Sequence, residues 1–378
     1  MQWKVHHPEG RYRVLVTKNL PGSRWLEILV GADCRTEVCQ SREILSGPAI
    51  QGAMGQHCHG VLGQLTEDWD SALLTALKEA GGVVFSDYAV GYNNVDLDAA
   101  TRLGLAVGNT PGVLTEATAE MAVALTFAAA RRVGEGERYV RAGKFSAWHV
   151  DLLLGKQLAR GSLGIIGAGR IGSAYALMMV QGHGMDLIYF SPTPKPVLEA
   201  RLAAFNRYLS SHGERPLACR RAATVEELLG AADVVSIHTP LNDATRHLLD
   251  ARRLALMKPD AVLVNTSRGP VIDEQALVAH CRANPGFRAG LDVFEDEPAL
   301  APGLAELENV VRVPHLGSAT GTSREGMALL AAANLVGVLR GDPVWNRADI
   351  TPFLQEPPPR AAPSIVNAKA LGLEILAQ

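Results

Sequence analysis

The run LGIIGAGRIG at residues 163–172 has a glycine spacing that could bind a dinucleotide. It follows a short apolar stretch and precedes a helix-like one at 173–180, so strand, turn and helix occur in the order that such sites require. Glycines there allow a tight turn, let the backbone approach a pyrophosphate, and leave the first N–H groups of the helix to hold its charge. The residues assigned to this site are Gly167, Gly169, Arg170, Ile171 and Gly172.

Polar side chains follow several other predicted strands, at the end where open α/β sheets bind their ligands. Singly, Arg268 would be a surface ion-pair residue and His315 a structural histidine. Together with the glycine turn, polar and charged groups delivered to one edge of a sheet by distant stretches of chain indicate a site for chemistry. The residues in this set are Thr239, Pro240, Thr266, Ser267, Arg268, Asp292 and His315.

The composition is that of an ordinary soluble protein whose partners are small molecules. At 378 residues and 47% hydrophobic residues, the chain can bury a large core, and its length predicts two or three domains. A net charge of -3 argues against nucleic-acid binding and against a polybasic membrane anchor. The five cysteines lack metal-type spacing, which is typical of free thiols in a reducing compartment. No second ligand cluster accompanies His57, Cys58 and His59, so we interpret them as an exposed polar turn and expect no metal.

No targeting or membrane segment is recognisable in the sequence. No apolar run reaches the roughly 18 residues that a spanning helix needs, and residues 1–10 lack the apolar stretch of a signal peptide. The final tripeptide, Leu376-Ala377-Gln378, is unlike a peroxisomal signal of the Ser-Lys-Leu kind. We therefore expect a soluble intracellular protein, with cytosol, mitochondrion and peroxisome all open as its compartment.

The elements that position these residues alternate between strand and helix, which predicts an α/β fold. In the first part we predict strands at 12–17, 60–65, 83–85 and 105–108, and helices at 26–30 and 71–80. An alanine-rich helix at 116–132 follows. From residue 162 the pattern is that of a doubly wound sheet, with strands at 163–166, 186–190, 233–238, 261–265, 289–294 and 310–313.

A helix predicted at 322–340 suggests how the chain is divided into domains. If it packs on the first part, a doubly wound parallel-sheet (Rossmann) coenzyme domain is inserted in a smaller flavodoxin-like α/β substrate domain, with the active cleft between them. The expected bounds are 1–117 with 319–378 for the substrate-binding domain and 118–318 for the dinucleotide-binding domain. We interpret the proline-rich stretch 356–363 as an arm lying on a surface.

Several runs of the chain resemble a known family of enzymes. The runs NTSRGPVID (265–273), GLDVFEDEP (290–298) and VPHLGSA (313–319) look like signatures of the D-2-hydroxyacid dehydrogenases. The runs QLTED (64–68), AVGYNNVD (89–96), NTPGVLTE (109–116) and PSIVNAKALGL (363–373) are similar to the plant-type hydroxypyruvate reductases within that family. The resemblance covers nearly the whole chain and implies a two-domain, NAD(P)H-dependent enzyme that forms a homodimer.

The resemblance implies a catalytic role for each of Arg268, Glu297 and His315. Arg268 would bind the carboxylate and keto oxygen of the substrate through its fork of donors. His315 would donate a proton to the carbonyl oxygen as hydride arrives, and Glu297 would hold the imidazole and favour its charged form. Without the resemblance, Glu297 is equally well a residue of a solvated acidic turn.

The resemblance also implies contacts to substrate and cofactor. Backbone N–H groups around Val90 and Gly91 would hold the substrate carboxylate, and Asp292 would orient the nicotinamide carboxamide. Trp148 is either an aromatic residue sent across a dimer interface into the neighbouring site or a core tryptophan. The implied substrate contacts are Leu65, Val90, Gly91 and Trp148, and the implied cofactor contacts include Thr115, Asp292 and Gly317.

One turn of the coenzyme domain departs from the pattern of NADH-binding proteins. About twenty residues past the glycine turn, where an acidic side chain would bind the ribose hydroxyls, the run YFSPTPK (189–195) has no carboxylate. Ser191 and Thr193 can donate hydrogen bonds to a 2′-phosphate, and Lys195 or Arg201 could supply charge. Plant relatives carry an aspartate here and favour NADH, whereas the local residues predict that this chain accepts NADPH.

The activity implied by the resemblance is reduction of hydroxypyruvate to D-glycerate, and of glyoxylate to glycolate, in photorespiratory-type metabolism. The substrate is then a small 2-keto acid and the cofactor NADPH or NADH. Two alternatives stay open. One is another D-2-hydroxyacid dehydrogenase, although Glu297 argues against formate oxidation, which needs no proton relay. The other is a non-catalytic, NAD(H)-sensing corepressor-like protein, since such proteins share this fold.

Overall fold

A computed structural model describes residues 2–376. The chain forms two compact units, Met1–Leu114 with Ala319–Gln378, and Thr115–Ser318. The first boundary precedes the helix that starts at Thr115, whereas the expected boundary at 117/118 would have cut through the first turn of that helix. Of the C-terminal tripeptide considered above, Ala377 and Gln378 lie outside the described residues.

Strands and helices alternate along the chain, as expected for an α/β fold. The strands are β1 (Trp3–His6), β2 (Tyr12–Val16), β3 (Cys34–Cys39), β4 (Gly60–Gly63), β5 (Val84–Asp87), β6 (Ala106–Gly108), β7 (Ser162–Ile166), β8 (Asp186–Phe190), β9 (Cys219–Arg221), β10 (Val234–Ile237), β11 (Val262–Asn265), β12 (Arg288–Leu291) and β13 (Val310–Arg312). The helices are α1 (Arg24–Gly31), α2 (Gly47–Met54), α3 (Ser71–Glu79), α4 (Leu97–Arg102), α5 (Thr115–Ala130), α6 (Val133–Arg141), α7 (Arg170–His183), α8 (Pro196–Ser211), α9 (Val225–Ala231), α10 (Ala251–Leu254), α11 (Glu274–Ala283), α12 (Gly321–Arg340) and α13 (Thr351–Leu354).

The sheet of the first unit has the strand order β1-β3-β2-β4-β5-β6. Strands β2 to β6 are parallel and follow the flavodoxin-type order, whereas β1 pairs antiparallel with β3 at the edge. The sequence analysis missed β1 and β3 because their polar residues hide the strand pattern. In β3 the buried polar residue Glu37 accepts two hydrogen bonds of 2.8 Å from Arg13 on β2. A cross-strand ion pair thus replaces apolar packing at this edge.

The sheet of the second unit is parallel throughout and has the order β13-β12-β11-β10-β7-β8-β9. This is the doubly wound order, extended at one edge by β13. The chain winds in opposite directions on either side of the β7–β10 pair, and ligands bind at such a switch point. Strands β10 and β11 are buried along their whole length, as expected when helices cover both faces of a sheet. The predicted α/β fold with a Rossmann-type sheet is confirmed.

The predicted helix at 116–132 corresponds to α5, and a second helix follows it. Helix α5 ends at Ala130, and Arg132 has a left-handed φ of 56° before α6 begins. The Arg132 guanidinium donates hydrogen bonds of 3.0 and 2.6 Å to Glu135, which also accepts one of 2.8 Å from Arg288. The break in the helix therefore lets two arginines share one carboxylate.

The interpretation of His57, Cys58 and His59 as an exposed polar turn is wrong for two of the three residues. Cys58 is fully buried in the core of the first unit, and the half-buried His59 accepts a hydrogen bond of 2.8 Å from the backbone N–H of Arg13. The chain continues from here into the buried strand β4, so the segment is the approach to that strand. Within residues 2–376 the structure shows no group of three or more histidine, cysteine or acidic residues arranged to hold a metal ion.

The proline-rich stretch lies along the first unit. Its exposed part is followed by the buried Ala362, which donates a hydrogen bond of 2.8 Å to the carbonyl of Pro343 and accepts one of 2.8 Å from Trp345. Further on, the carbonyl of Ser364 accepts a hydrogen bond of 3.2 Å from Asn109. In the part of the chain that the structure describes, no helix has the length and apolar character needed to span a bilayer.

Candidate active site

The glycine turn between β7 and α7 is shaped by two backbone contacts. Gly167 has a φ of 95°, and a Cβ atom there would lie 2.6 Å from the carbonyl oxygen of His238. A Cβ atom at Gly172 would overlap the carbonyl oxygen of Gly167. Gly169 differs, because a Cβ atom there would meet no atom within 4 Å. Two glycines are therefore required by the fold itself, whereas the third leaves open space in front of the helix.

That open space fits the pyrophosphate of a dinucleotide. Helix α7 begins at Arg170 with Gly169 as its N-cap, so no side chain at that cap competes for the first helical N–H groups. Thr239 and Pro240 follow the neighbouring strand β10, on the other side of the switch point. Thr266, after β11, has a buried hydroxyl with no hydrogen-bond partner among the described residues. A hydroxyl of this kind, at the carboxyl edge of the sheet, suits hydrogen bonding to a cofactor.

The loop that carries Arg268 is held by the last residue of β11. The Asn265 side chain donates a hydrogen bond of 2.9 Å to the carbonyl of Arg268 and accepts two from Ser267, of 3.0 and 2.8 Å. A Cβ atom at Gly269 would overlap the carbonyl oxygen of Phe294, so the two backbones touch there. This contact brings the Arg268 loop against the acidic loop that begins at Phe294.

The acidic loop is anchored by a carboxylate that the sequence analysis missed. Glu274, at the start of α11, is buried and accepts hydrogen bonds of 3.2 Å from the backbone of Glu295 and 2.9 Å from that of Ala301. Burial raises the pKa of Glu274. Within the loop, Glu297 accepts a hydrogen bond of 3.0 Å from the N–H of Phe294, which fixes the direction of its carboxylate. The acidic run is thus an ordered loop, and the alternative of a merely solvated turn does not describe it.

Glu297 contacts His315 directly. The distance from His315 Nδ1 to Glu297 Oε2 is 2.9 Å, and both side chains are partly exposed. His315 has a left-handed φ of 53°, an uncommon conformation for a residue with a side chain. Because Nδ1 faces the carboxylate, Nε2 is the ring nitrogen that can meet a substrate.

The charges of the site support each other. Burial disfavours ionisation of Glu297, but the hydrogen bond and charge of His315 outweigh it, with a smaller contribution from Arg268, so the pKa of Glu297 is lowered. An ionised carboxylate beside an imidazole stabilises its protonated form. Arg268 lies close enough to act on Glu297 electrostatically, so the structure brings the three predicted catalytic residues together at one edge of one sheet.

Asp292 holds the backbone of the His315 loop. Its carboxylate accepts hydrogen bonds of 2.5 Å from Leu316 and 2.8 Å from Gly317, and its carbonyl accepts one of 2.8 Å from His315. It is fully buried, and burial raises its pKa. A Cβ atom at Gly317 would lie 2.9 Å from Asp292 Oδ2, so only glycine fits beside this carboxylate. The sequence analysis assigned Asp292 to the cofactor and missed this second, positioning role.

The predicted substrate contacts Leu65, Val90 and Gly91 lie in loops of the first unit. Strand β4 ends at Gly63, so Leu65 lies in the following loop and not in the predicted strand 60–65. Val90 and Gly91 follow β5, the neighbour of β4, and the carbonyl of Val90 accepts a hydrogen bond of 2.8 Å from Asn109. All three residues are partly exposed and follow adjacent strands at the same edge of their sheet.

The turn expected to meet a 2′-phosphate carries an arginine that the sequence analysis missed. Arg221, the last residue of β9, donates hydrogen bonds of 3.1 and 2.9 Å to the carbonyl of the buried Ser191 and one of 2.8 Å to that of Pro192. Lys195 contacts Thr193 at 3.4 Å, and its backbone N–H is bound by the Tyr189 hydroxyl. Strand β9 pairs with β8, so a prediction of β9 would have placed Arg221 next to the turn that follows β8. Two cations therefore adjoin the turn.

Two further predicted residues, Trp148 and Thr115, lie in different settings. Trp148 is 78% exposed in a segment without helix or strand, so it is not a core tryptophan. Thr115 is the first residue of α5, and the next turn of that helix, at Thr118, would contact a Cβ atom added to Gly317. The start of α5 therefore lies beside the His315 loop.

Comparisons with known proteins agree with this geometry. Residues 123–317 match the NAD-binding domain of the D-isomer specific 2-hydroxyacid dehydrogenases. The chain is 53% identical over 376 residues to a glycerate dehydrogenase of Cucumis sativus, with 98% of both chains covered. It is 52% identical over 378 residues to a peroxisomal glycerate dehydrogenase of Arabidopsis thaliana, with 98% of this chain and 97% of the relative covered. A solved structure of an NADPH-dependent glyoxylate/hydroxypyruvate reductase from Sinorhizobium meliloti, bound to NADP and malonate, is 28% identical with a TM-score of 0.70, covering 86% of this chain and 92% of that one.

The glycine turn yields a paired prediction. Gly172→Ala forces a Cβ atom into the carbonyl of Gly167 and is expected to lower the free energy of unfolding by about 1–3 kcal/mol. Gly169→Ala meets no protein atom, so stability should stay within about 0.5 kcal/mol, whereas NADH binding should weaken by about tenfold or more, about 1.4 kcal/mol. Denaturant unfolding and fluorescence titration with NADH measure the two effects. Wild-type affinity in Gly169→Ala would show that the open space is not the pyrophosphate site.

Proposed function

Because the chain belongs to the D-isomer specific 2-hydroxyacid dehydrogenase family, we propose that it reduces hydroxypyruvate to D-glycerate, and glyoxylate to glycolate, with NADPH or NADH. The predicted family is confirmed by full-length similarity to two glycerate dehydrogenases. The observation that carries the proposal is the 2.9 Å contact between Glu297 and His315, beside the Arg268 loop and on the sheet that holds the glycine turn. A proton donor and a carboxylate-binding cation in this setting suit a 2-keto acid.

The catalytic chemistry follows from the three side chains. Arg268 binds the substrate carboxylate and the keto oxygen, since the fork of donors on its guanidinium group can hydrogen-bond to both. His315 Nε2 donates a proton to that oxygen as it gains charge, and takes it back in the oxidative direction. Glu297 keeps the imidazole oriented through Nδ1 and stabilises its positive charge. The bound nicotinamide supplies the hydride.

The size of the substrate is set by the loops of the first unit. We propose that backbone N–H groups of Val90 and Gly91 bind the substrate carboxylate and that Leu65 lines the same pocket. A leucine side chain suits the short chain of a two- or three-carbon keto acid. The Sinorhizobium meliloti relative, with malonate bound, is described as a glyoxylate/hydroxypyruvate reductase, which supports a small acid here.

We propose that NADPH is accepted as well as NADH. The turn after β8 contains no carboxylate that would repel a 2′-phosphate, and Ser191 and Thr193 offer hydroxyl groups to it. Lys195 and Arg221 adjoin the turn and supply positive charge. Arg201 on α8 is a further candidate to supply positive charge there. Glu199, on the same helix, accepts a hydrogen bond from the Tyr189 hydroxyl, so its carboxylate is already bound within the protein.

We also propose a homodimer formed through the segment that follows α6. The segment exposes several large apolar side chains close together in sequence. Monomeric soluble proteins rarely expose large apolar patches. The occupant proposed is a second copy of the chain, since two-fold dimers are the commonest assemblies of this sort. The exposed residues are Phe145, Trp148, Val150 and Leu154, with Val133 and Val140 on α6 itself. Trp148 would then reach the neighbouring subunit.

The cellular setting is proposed from the cysteines and the chemistry. All five cysteines are free, and four of them are buried, which suits a reducing compartment inside the cell. Reduction of hydroxypyruvate and glyoxylate would serve photorespiratory-type metabolism.

Substitutions of the catalytic trio test the activity. Arg268→Ala and His315→Ala are expected to lower kcat/KM for hydroxypyruvate by about a thousandfold, and Glu297→Gln by about a hundredfold, because each removes a charge or a proton donor from the transition state. The Kd for NADH should stay unchanged in all three. Steady-state assays with hydroxypyruvate, glyoxylate and pyruvate measure the first effect and fluorescence titration the second. The exposed Arg360→Ala and His212→Ala variants serve as controls. A wild-type protein that binds NADH but turns over none of the three acids would favour the corepressor-like alternative.

A charge substitution in the turn after β8 tests cofactor choice. Ser191→Asp places a carboxylate where a 2′-phosphate would bind, so kcat/KM with NADPH should fall by about tenfold or more while kcat/KM with NADH holds or rises. Ser191→Asn has nearly the same shape without the charge and should keep NADPH activity. A strong preference of the wild-type protein for NADH would contradict the proposal.

Sedimentation velocity tests the dimer. The wild-type protein should sediment at twice the chain mass of 40.3 kDa. Trp148→Glu combined with Val150→Glu should give a monomer, because two charges would be buried in an apolar interface. Ile44→Glu, an exposed apolar position in the first unit, should remain a dimer. A monomeric wild-type protein would refute the interface.

A further inference from the structure

Two loops of the first unit are connected to each other by hydrogen bonds. One loop follows β4 and carries Leu65, and the other follows β5 and carries Val90 and Gly91. The strands β4 and β5 are parallel neighbours, with Gly63 opposite Asp87 in the register. The two loops therefore start side by side at the carboxyl edge of the sheet, where ligands bind in open α/β folds.

Glu67 lies under the first of these loops. It is 1% exposed, and its Oε2 atom accepts hydrogen bonds of 3.0 Å from the N–H of Gln64 and 3.2 Å from the indole of Trp69. A Cβ atom at Gly63 would lie 2.9 Å from the same oxygen, so the strand end has room for this carboxyl group only because it is glycine. Glu67 thus closes the turn from Gln64 to Trp69 from the inside. Leu65 lies on the outer side of this loop.

Asn94 joins the second loop to the first. Its amide nitrogen donates hydrogen bonds of 3.3 Å to the carbonyl of Gln64 and 3.1 Å to that of Glu67. Its own carbonyl accepts one of 2.8 Å from the N–H of Trp69, and the carbonyl of Trp69 accepts one of 3.0 Å from Asp96. Four hydrogen bonds therefore cross between the two loops. Neither loop can shift without breaking several of them.

The connection is expensive for the fold, which points to a purpose other than stability. Burial raises the pKa of Glu67, and the hydrogen bonds from Gln64 and Trp69 offset this only in part. Its Oε1 atom and the Nε2 atom of Gln64 are buried without a hydrogen-bond partner among the described residues. An apolar side chain of similar volume would avoid this cost, since unsatisfied buried polar groups destabilise a fold. What the carboxyl group contributes is a defined geometry for the loop above it.

We propose that Glu67 and Asn94 are positioning residues for substrate binding, which hold the Leu65 loop and the Val90–Gly91 loop at a fixed separation. This inference rests on the proposed function, because it takes those loops to contact the keto acid. Neither residue touches substrate or cofactor in this role. Loss of the connection lets the two loops move apart, so the substrate is bound more weakly while the chemistry of Arg268, Glu297 and His315 is kept.

Three variants test the proposal. Asn94→Ala removes both side-chain donors, Glu67→Leu removes the acceptor, and Glu67→Gln keeps an acceptor oxygen of the same reach. Asn94→Ala and Glu67→Leu should raise KM about tenfold or more, with kcat changed less than about threefold and the Kd for NADH unchanged. Glu67→Gln should restore a KM close to that of the wild type. The substrate used is whichever of hydroxypyruvate, glyoxylate and pyruvate the wild-type enzyme turns over fastest.

A matched control separates positioning from general stability. Asn309 in the second unit likewise donates from its side chain to two backbone carbonyls, those of Cys281 at 3.0 Å and Phe287 at 2.9 Å. Asn309→Ala should lower the midpoint of thermal unfolding as Asn94→Ala does, yet leave KM unchanged. An unchanged KM in both Asn94→Ala and Glu67→Leu would overturn this proposal while leaving the proposed function intact. A wild-type protein inactive on all three acids would overturn both.

Discussion

The site depends on one close approach of two backbones. Gly269 lies against the carbonyl of Phe294 so tightly that no side chain would fit between them. Because of this contact, the loop after β11 and the loop after β12 form one surface, and Arg268 comes to act electrostatically on Glu297. The pairing of Glu297 with His315 then follows from the next strand, β13. Arg268, Glu297 and His315 are distant in sequence. They meet because three parallel strands end at the same edge and the loops after these strands contact one another.

Buried carboxyl groups recur as the means of holding loops in place. Glu274 accepts hydrogen bonds from the acidic loop, Asp292 from the His315 loop and Glu67 from the loop after β4. Each accepts hydrogen bonds from backbone N–H groups of a loop that carries a site residue or adjoins one. Burial acts to raise the pKa of all three, which is the cost of this arrangement. Loops held in this way keep their shape without bulky packing beneath them.

The proposed catalytic residues could be singled out in the sequence because their signals are local. The glycine turn, the run around Arg268 and the run around His315 each combine a strand end with a distinctive residue order. The supporting residues could not be predicted in the same way. Glu274, and Asp292 in its positioning role, contact loops that are distant from them in sequence. Arg221 lies on a three-residue strand too short and polar to be recognised. Strands β1 and β3 were missed for a related reason, since an ion pair stabilises that edge where apolar alternation is expected.

The division of the chain into two units has a consequence for how such enzymes diversify. The second unit is one uninterrupted stretch, Thr115–Ser318, and it contains the glycine turn and all three side chains proposed to be catalytic. The loops proposed to select the substrate belong to the other unit, which is built from both ends of the chain. Hydride chemistry and substrate choice are thus assigned to separate units of the fold. Evolution or an engineer can therefore exchange one unit and keep the other unchanged.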